Sequence, residues 1–178
     1  MKPSILVTAF GPFGDFSQNP SALLAAELGE DEAETTVLPV SYRSVEQFLS
    51  AAHHLTHKTV LMLGAHKNAA MLTVERRARN WVSDRPDVEG VARDEGPILE
   101  GRDPWRTSQL FEGWHGLPPY WTVSDDCGAY LCNYLYFRML GFQRRFRVGF
   151  VHVPPVEVVP LERQVTALRR LLEKVGNS

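Results

Sequence analysis

Cysteine is scarce in this chain: Cys127 and Cys132 are the two among 178 residues. Two thiols five positions apart cannot form the framework that staples small secreted domains, so a reducing, cytoplasmic setting is the default expectation. Long apolar runs are missing too; the longest are strand-sized, which leaves nothing to span a bilayer. Met1-Lys2-Pro3 leads straight into Ile5-Leu6-Val7, too short a run for a signal-peptide core. Neither charge sign is in surplus, with 19 Lys and Arg against 21 Asp and Glu and a net charge of −2. Nothing there pulls the chain toward nucleic acid or an anionic membrane. Arg144-Arg145-Phe146-Arg147 reads as a solvated lead into a strand rather than a phosphate patch. There is no Walker loop, no dinucleotide glycine fingerprint and no Gly-x-Ser-x-Gly elbow. Internal repeats and low-complexity segments are also absent.

What is present suits one globular domain spanning residues 1–178. At 44% hydrophobic and 22% charged, a chain of this length buries enough surface to need no disulfide or metal staple. Ile5 to Phe10 is a continuous apolar run ending at Gly11-Pro12 and reads as a buried strand. Asn19-Pro20-Ser21 supplies helix-start chemistry, with Asn19 or Ser21 as cap, for a helix that stops at Gly29. Further strands are expected over 35–40, 60–63, 71–79, 120–123 and 146–153. Helices are expected over 44–55, 130–140 and 161–175, the last with Leu161, Val165, Leu168, Leu171 and Leu172 on one face. Residues 81–119, rich in Gly, Pro and charge, read as a long functional or partly disordered loop. Strands alternating with helices predict a three-layer α/β/α sandwich around a mixed, largely parallel sheet. Sites in such sheets gather beyond the carboxyl ends of the strands, where Phe10–Gly14, Gly64–Asn68, Cys127–Asn133 and His152–Pro155 would meet.

Three residue types there could do chemistry. Cys132 stands at a strand-to-helix junction, where a helix N-terminus favours the thiolate and nearby amides could hold an oxyanion. Cys127 has Asp125 and Asp126 beside it, which disfavours a thiolate. His152 ends an apolar strand and could act as base; Glu75 could fix its tautomer. Plainer readings stay open on the residues alone. Cys132 could be a small core residue, His152 a satisfied structural one, and Glu75 a surface partner of Arg77 on the same strand face. His53 and His57, one helical turn apart, could chelate a metal, but no third ligand follows at sensible spacing.

Taken in order, Val7-Thr8-Ala9-Phe10-Gly11-Pro12-Phe13-Gly14, Asn19-Pro20-Ser21, Leu38-Pro39-Val40-Ser41, Val74-Glu75-Arg76-Arg77-Ala78-Arg79-Asn80, Asp84-Arg85-Pro86-Asp87-Val88-Glu89-Gly90, Gly128-Ala129-Tyr130-Leu131-Cys132-Asn133 and Gly149-Phe150-Val151-His152-Val153-Pro154 form a series. With it the chain resembles the pyroglutamyl peptidase I family, the pyrrolidone carboxyl peptidases of cysteine peptidase family C15. The resemblance implies a cysteine exopeptidase, an omega-peptidase that hydrolyses N-terminal L-pyroglutamyl residues from peptides through a thioester acyl-enzyme. It implies Cys132 as nucleophile, His152 as general base and acid, Glu75 as orienting carboxylate, and Arg85 near the oxyanion. It also implies Phe10 and Phe13 as aromatic walls of the pyroglutamyl pocket, Asn19 as their support, and Ala65, Tyr130 and Leu131 as backbone contacts to the lactam or scissile carbonyl. Core packing is the plainer reading of the two phenylalanines. No metal or organic cofactor is implied, and the partners are peptides with N-terminal pyroglutamate, with a homo-oligomer (dimer or tetramer) as the family's habit. The same fold could instead serve as a non-catalytic module binding a lactam or peptide N-terminus, or carry another amidase specificity. Departures from the family pattern fall at Gly11, at His66-Lys67-Asn68-Ala69-Ala70, and at Arg77 and Arg79, which replace apolar strand residues.

Overall fold

A computed structural model describes residues 4–112, 114 and 119–176. The Met1-Lys2-Pro3 lead, and residues 113 and 115–118 of the long loop, lie outside them. Strands β1 (Ile5–Phe10), β3 (Thr59–Ala65) and β8 (Arg147–Val153) are almost wholly buried. Their sequences are continuously apolar because helices cover both faces, and alternate side chains feed two separate cores. Val7, Leu61, Leu63 and Val151 pack with Leu24 of α1 (Pro20–Ala26) and Leu168 and Leu171 of α4 (Leu161–Gly176). Leu6, Val60, Met62 and Phe150 pack with Val45 and Leu49 of α2 (Tyr42–Ala51) and Leu135 of α3 (Leu131–Met139). Two cores with a sheet between them make the expected three layers.

The six-stranded sheet runs β2-β1-β3-β8-β4-β7, where β2 is Glu34–Leu38, β4 is Leu72–Glu75 and β7 is Trp121–Ser124. All neighbours are parallel except β8 and β4, which run antiparallel. The sheet is therefore mixed and largely parallel, and its reversal lies beside His152.

Several boundaries differ from the sequence reading, for local reasons. Asn19 rather than Ser21 caps α1, its side chain accepting from the Ser21 N–H at 3.0 Å with Pro20 in the first turn. Helix α2 begins two residues before Ser44, because Ser41 caps it through the Ser44 N–H. The strand expected over 71–79 breaks at Arg76. Its first half joins the main sheet, while β5 (Arg77–Arg79) pairs with β6 (Trp105–Thr107), a strand without a sequence signal. The Arg77 guanidinium lies 4.8 Å above the Trp105 ring, so a stacked cation takes the place of an apolar strand residue. Helix α3 ends at Met139, and Gly141 sits inside a 3₁₀ turn, Leu140–Phe142.

Residues 81–104 are held by specific bonds. Asp87 accepts from Tyr42 N–H at 2.8 Å, and Val82 and Gly96 bridge. Arg93 sits over the rings of both Tyr42 and Tyr134. His53 and His57 do not share a helix face, because α2 ends at Ala51. The His53 ring packs on Phe142, and His57 Nε2 pairs with Glu34 at 3.2 Å. Among the described residues no helix is long and apolar enough to cross a membrane.

Candidate active site

The antiparallel β8–β4 pair sets opposite His152 a threonine, Thr73, and opposite Phe150 a glutamate, Glu75. Residues two apart on a strand share a face, so Glu75 is a diagonal cross-strand neighbour of His152 on that face. The side chains meet there: His152 Nδ1 to Glu75 Oε1 is 2.7 Å, with both residues buried. Arg77 is not the partner of Glu75; its guanidinium lies 3.6 Å from Asp125. On the other flank of His152 the parallel register supplies Gly64. A Cβ at position 64 would sit 2.8 Å from Cys132 Sγ and 2.7 Å from Phe150 Cζ. The missing side chain is what leaves room for the thiol next to the imidazole.

Cys132 lies in the first turn of α3, whose N-cap, Tyr130, makes no side-chain capping bond. The first amides of that helix therefore point toward the site without a side-chain acceptor. The turn is fixed from behind by Asn133, fully buried, which accepts from Arg79 N–H and donates to the carbonyls of Arg79 and Trp81, each at 2.8 Å. Tyr136, one turn further on, donates to the Glu75 carbonyl at 2.7 Å. Helix and carboxylate are thus tied to one frame.

Electrostatics separate the two cysteines. Burial alone would lower the His152 pKa, but interaction with Cys132 and with the Glu75 carboxylate outweighs it and raises the imidazole to about 9. Cys127 is buried; burial first, then the charges of Glu75, Cys132 and Asp126, push its thiol well above the ordinary range. Cys127 therefore stays a protonated thiol, and the half-buried Cys132 faces the imidazole.

Two hollows meet at Cys132. The smaller is apolar, with ≈ 20 Å³ between Phe10, Phe13, Val40, Ala65, Tyr130 and Leu131, and the buried Asn19 also lines it. Asn19 Nδ2 donates to the Gly11 carbonyl at 2.8 Å, which fixes the turn that carries Phe13. That turn closes by paired backbone bonds between Phe13 and Phe16, and Gly14 within it has φ +53°, a conformation that favours glycine. The larger hollow is an open cleft of ≈ 620 Å³ with polar groups in its lining, in the size range of ligand sites. Its floor is the open face of β4 and β7, with Thr73 opposite Thr122 and Glu75 opposite Ser124. His66, Arg85 and His152 line it. The Arg85 guanidinium lies 4.6 Å above the Tyr130 ring, whose hydroxyl donates to the Pro86 carbonyl.

Each residue that the family resemblance assigned to the site borders one of the two hollows, whereas His53 and His57 border neither. Sequence reasoning placed Gly64 and Asn133 in segments that meet at the site but gave neither a role there. Gly64 carried a signal only as a strand end, and Asn133 only as the neighbour of Cys132.

A family model described as pyroglutamyl peptidase matches residues 3–168. A pyrrolidone-carboxylate peptidase of Halalkalibacterium halodurans is 33% identical over 170 residues, covering 84% of this chain and 83% of the relative. One from Thermococcus litoralis is 31% identical over 175 residues, covering 87% and 79%. Among solved structures, the pyrrolidone carboxyl peptidase from Thermus thermophilus superposes with a TM-score of 0.80 at 34% identity, covering 95% of this chain and 98% of that one. With a family match over almost the whole length and relatives above the 30% level, the chain belongs to the pyroglutamyl peptidase family.

Proposed function

We propose that this protein is a thiol exopeptidase that removes N-terminal pyroglutamate from peptides, with Cys132, His152 and Glu75 as its catalytic group. The observation that carries the reading is the buried Glu75–His152 pair at 2.7 Å, facing a thiol where an apolar hollow and an open cleft meet. Pyroglutamate is a flat, uncharged lactam with one N–H and one C=O. Phe10 and Phe13 offer aromatic walls for its faces, and backbone groups around Ala65, Tyr130 and Leu131 pair its polar atoms. At ≈ 20 Å³ the hollow has room for about one water. The ring therefore enters by displacing Phe13 or Tyr130, the two aromatics that also border the open cleft.

The raised His152 favours an imidazolium facing Cys132 Sγ, whose proton it takes to start the reaction. The thiolate attacks the pyroglutamyl carbonyl carbon, and the developing oxyanion is met by the uncapped first amides of α3. Arg85, stacked on Tyr130, adds positive charge at that mouth. The C–N bond then breaks as His152 gives its proton to the leaving amine, which departs through the cleft. Water passes a proton back to His152 and attacks the thioester; the C–S bond breaks and free pyroglutamate leaves. Glu75 holds Nδ1 throughout, so that Nε2 faces the reacting atoms. A reducing compartment such as the cytoplasm would keep the thiol usable.

The test compares fluorogenic pyroglutamyl and prolyl amides. Proline lacks the ring carbonyl, so a site that pairs both lactam atoms should reject it by roughly 10⁴-fold. Comparable turnover of the two would show that the lactam is not what the pocket reads, and binding of pyroglutamate without any turnover would leave the site a binding role only.

A further inference from the structure

The two hollows differ in a way that fixes the direction of a bound peptide. A small apolar seat suits the ring, and a much larger cleft that carries polar groups suits whatever follows the scissile bond. A chain leaving Cys132 in that direction passes His152 first, because the imidazole must reach the departing nitrogen. The next side chain therefore lies beside His152, over the floor of β4 and β7. The hydroxyl-bearing Thr73, Thr122 and Ser124 and the small Ala69 lie on that surface. His66 supplies its ring.

The position of His66 is well defined. Its N–H donates to the Val153 carbonyl at 3.0 Å, carrying the β3–β8 pairing one residue past the end of β3. The Ala69 N–H returns to the His66 carbonyl at 3.0 Å and closes the turn. The ring stands edge-to-face against His152, with centroids 5.4 Å apart and planes at 64°, while the residue as a whole stays exposed to the cleft. On its far side His152 meets Phe150, with centroids 4.9 Å apart. Burial of the packed side first, then the positive charge of His152, holds the His66 pKa below the usual imidazole value. At neutral pH this wall is an uncharged aromatic ring.

Building on the peptidase reading above, we propose that His66 determines specificity for the residue after pyroglutamate, favouring an aromatic side chain that stacks on its imidazole. Aromatic pairing of this kind corresponds to a preference of about 3-fold to 10-fold in kcat/KM.

The experiment measures release of phenylalanine amide from pyroglutamyl-phenylalanine amide and of alanine amide from pyroglutamyl-alanine amide, for wild type, His66→Ala and His66→Phe. The readout is the ratio of the two kcat/KM values within each protein, so a general change in activity cancels. The expected result is a ratio of about 3 to 10 in wild type, near 1 in His66→Ala, and restored in His66→Phe. A ratio near 1 in wild type, or one that persists in His66→Ala, overturns the proposal. So does complete loss of both reactions in folded His66→Ala, because His66 would then act through His152 and not on the leaving peptide. Failure of wild type to turn over either amide is a different result; it removes the peptidase reading beneath.

Discussion

Glu75 reaches His152 because its strand runs against β8, and no count of residues along the chain reveals that reversal. From sequence, period-two alternation paired Glu75 with Arg77; the break at Arg76 sends Arg77 into a different sheet, toward Asp125. The residues alone left both partners open, and the ordered series of motifs pointed to His152. Cys132 was easier to read, since a helix start after Gly128 follows from local signals, and Cys127 could be set aside on charge. The structure adds burial as the larger reason. The His152 charge gives a prediction at this scale. Its folded pKa is raised, so the stabilisation from its protonated form is full below the ordinary value near ~6.5 and lost as pH rises through about 9. The alkaline limb of kcat/KM should therefore fall near 9 in wild type. Glu75→Gln removes the carboxylate that favours the imidazolium. It should move that limb toward acid and lower kcat by roughly 10²-fold to 10⁴-fold. A limb that stays in place would mean that Glu75 does not act on His152.

At the scale of elements, β1, β3, β8 and α4 were legible because burial on both faces, or on one helical stripe, writes itself into the apolar pattern. Strand β6, three residues long with a single apolar position, had no pattern to read. The segment from 81 to 104 looked like loop or disorder from its composition, yet its order comes from side-chain bonds that composition does not report. Asp87 is the clearest of them, taking Tyr42 N–H on one oxygen and the N–H groups of Glu89 and Val91 on the other, at 2.8 to 2.9 Å. Burial acts to raise its pKa, but the three donors outweigh it and hold the carboxyl below its usual range. A depressed carboxylate contributes stability that is present above the ordinary value near ~3.9 and lost as pH falls through the folded one. Asp87→Asn turns an NH₂ toward at least one of those donors. Amide exchange at Tyr42, Glu89 and Val91 should quicken by about 10-fold while the central strands keep their protection. Unchanged exchange at all three amides would show that the carboxylate does not hold this loop over Tyr130.

For the whole molecule, the main physical fact is that helices cover β1, β3 and β8 on both faces, while the reversed pair β4–β7 keeps one face open as the cleft floor. The thiol stands where covered and uncovered regions meet, with a tight apolar hollow behind it and open space in front. The α/β/α layering was legible from alternating strands and helices. The position of the sheet reversal was not, and it decides where a leaving peptide goes. The central claim is that Cys132, rather than the second thiol lining the same cleft, carries the reaction. The most direct measurement is hydrolysis of a fluorogenic pyroglutamyl amide by reduced wild type, Cys132→Ser and Cys127→Ala, each first shown to be folded. The account predicts turnover in wild type and Cys127→Ala, and a loss of at least about 10³-fold in Cys132→Ser. Turnover that survives Cys132→Ser and disappears in Cys127→Ala would contradict it.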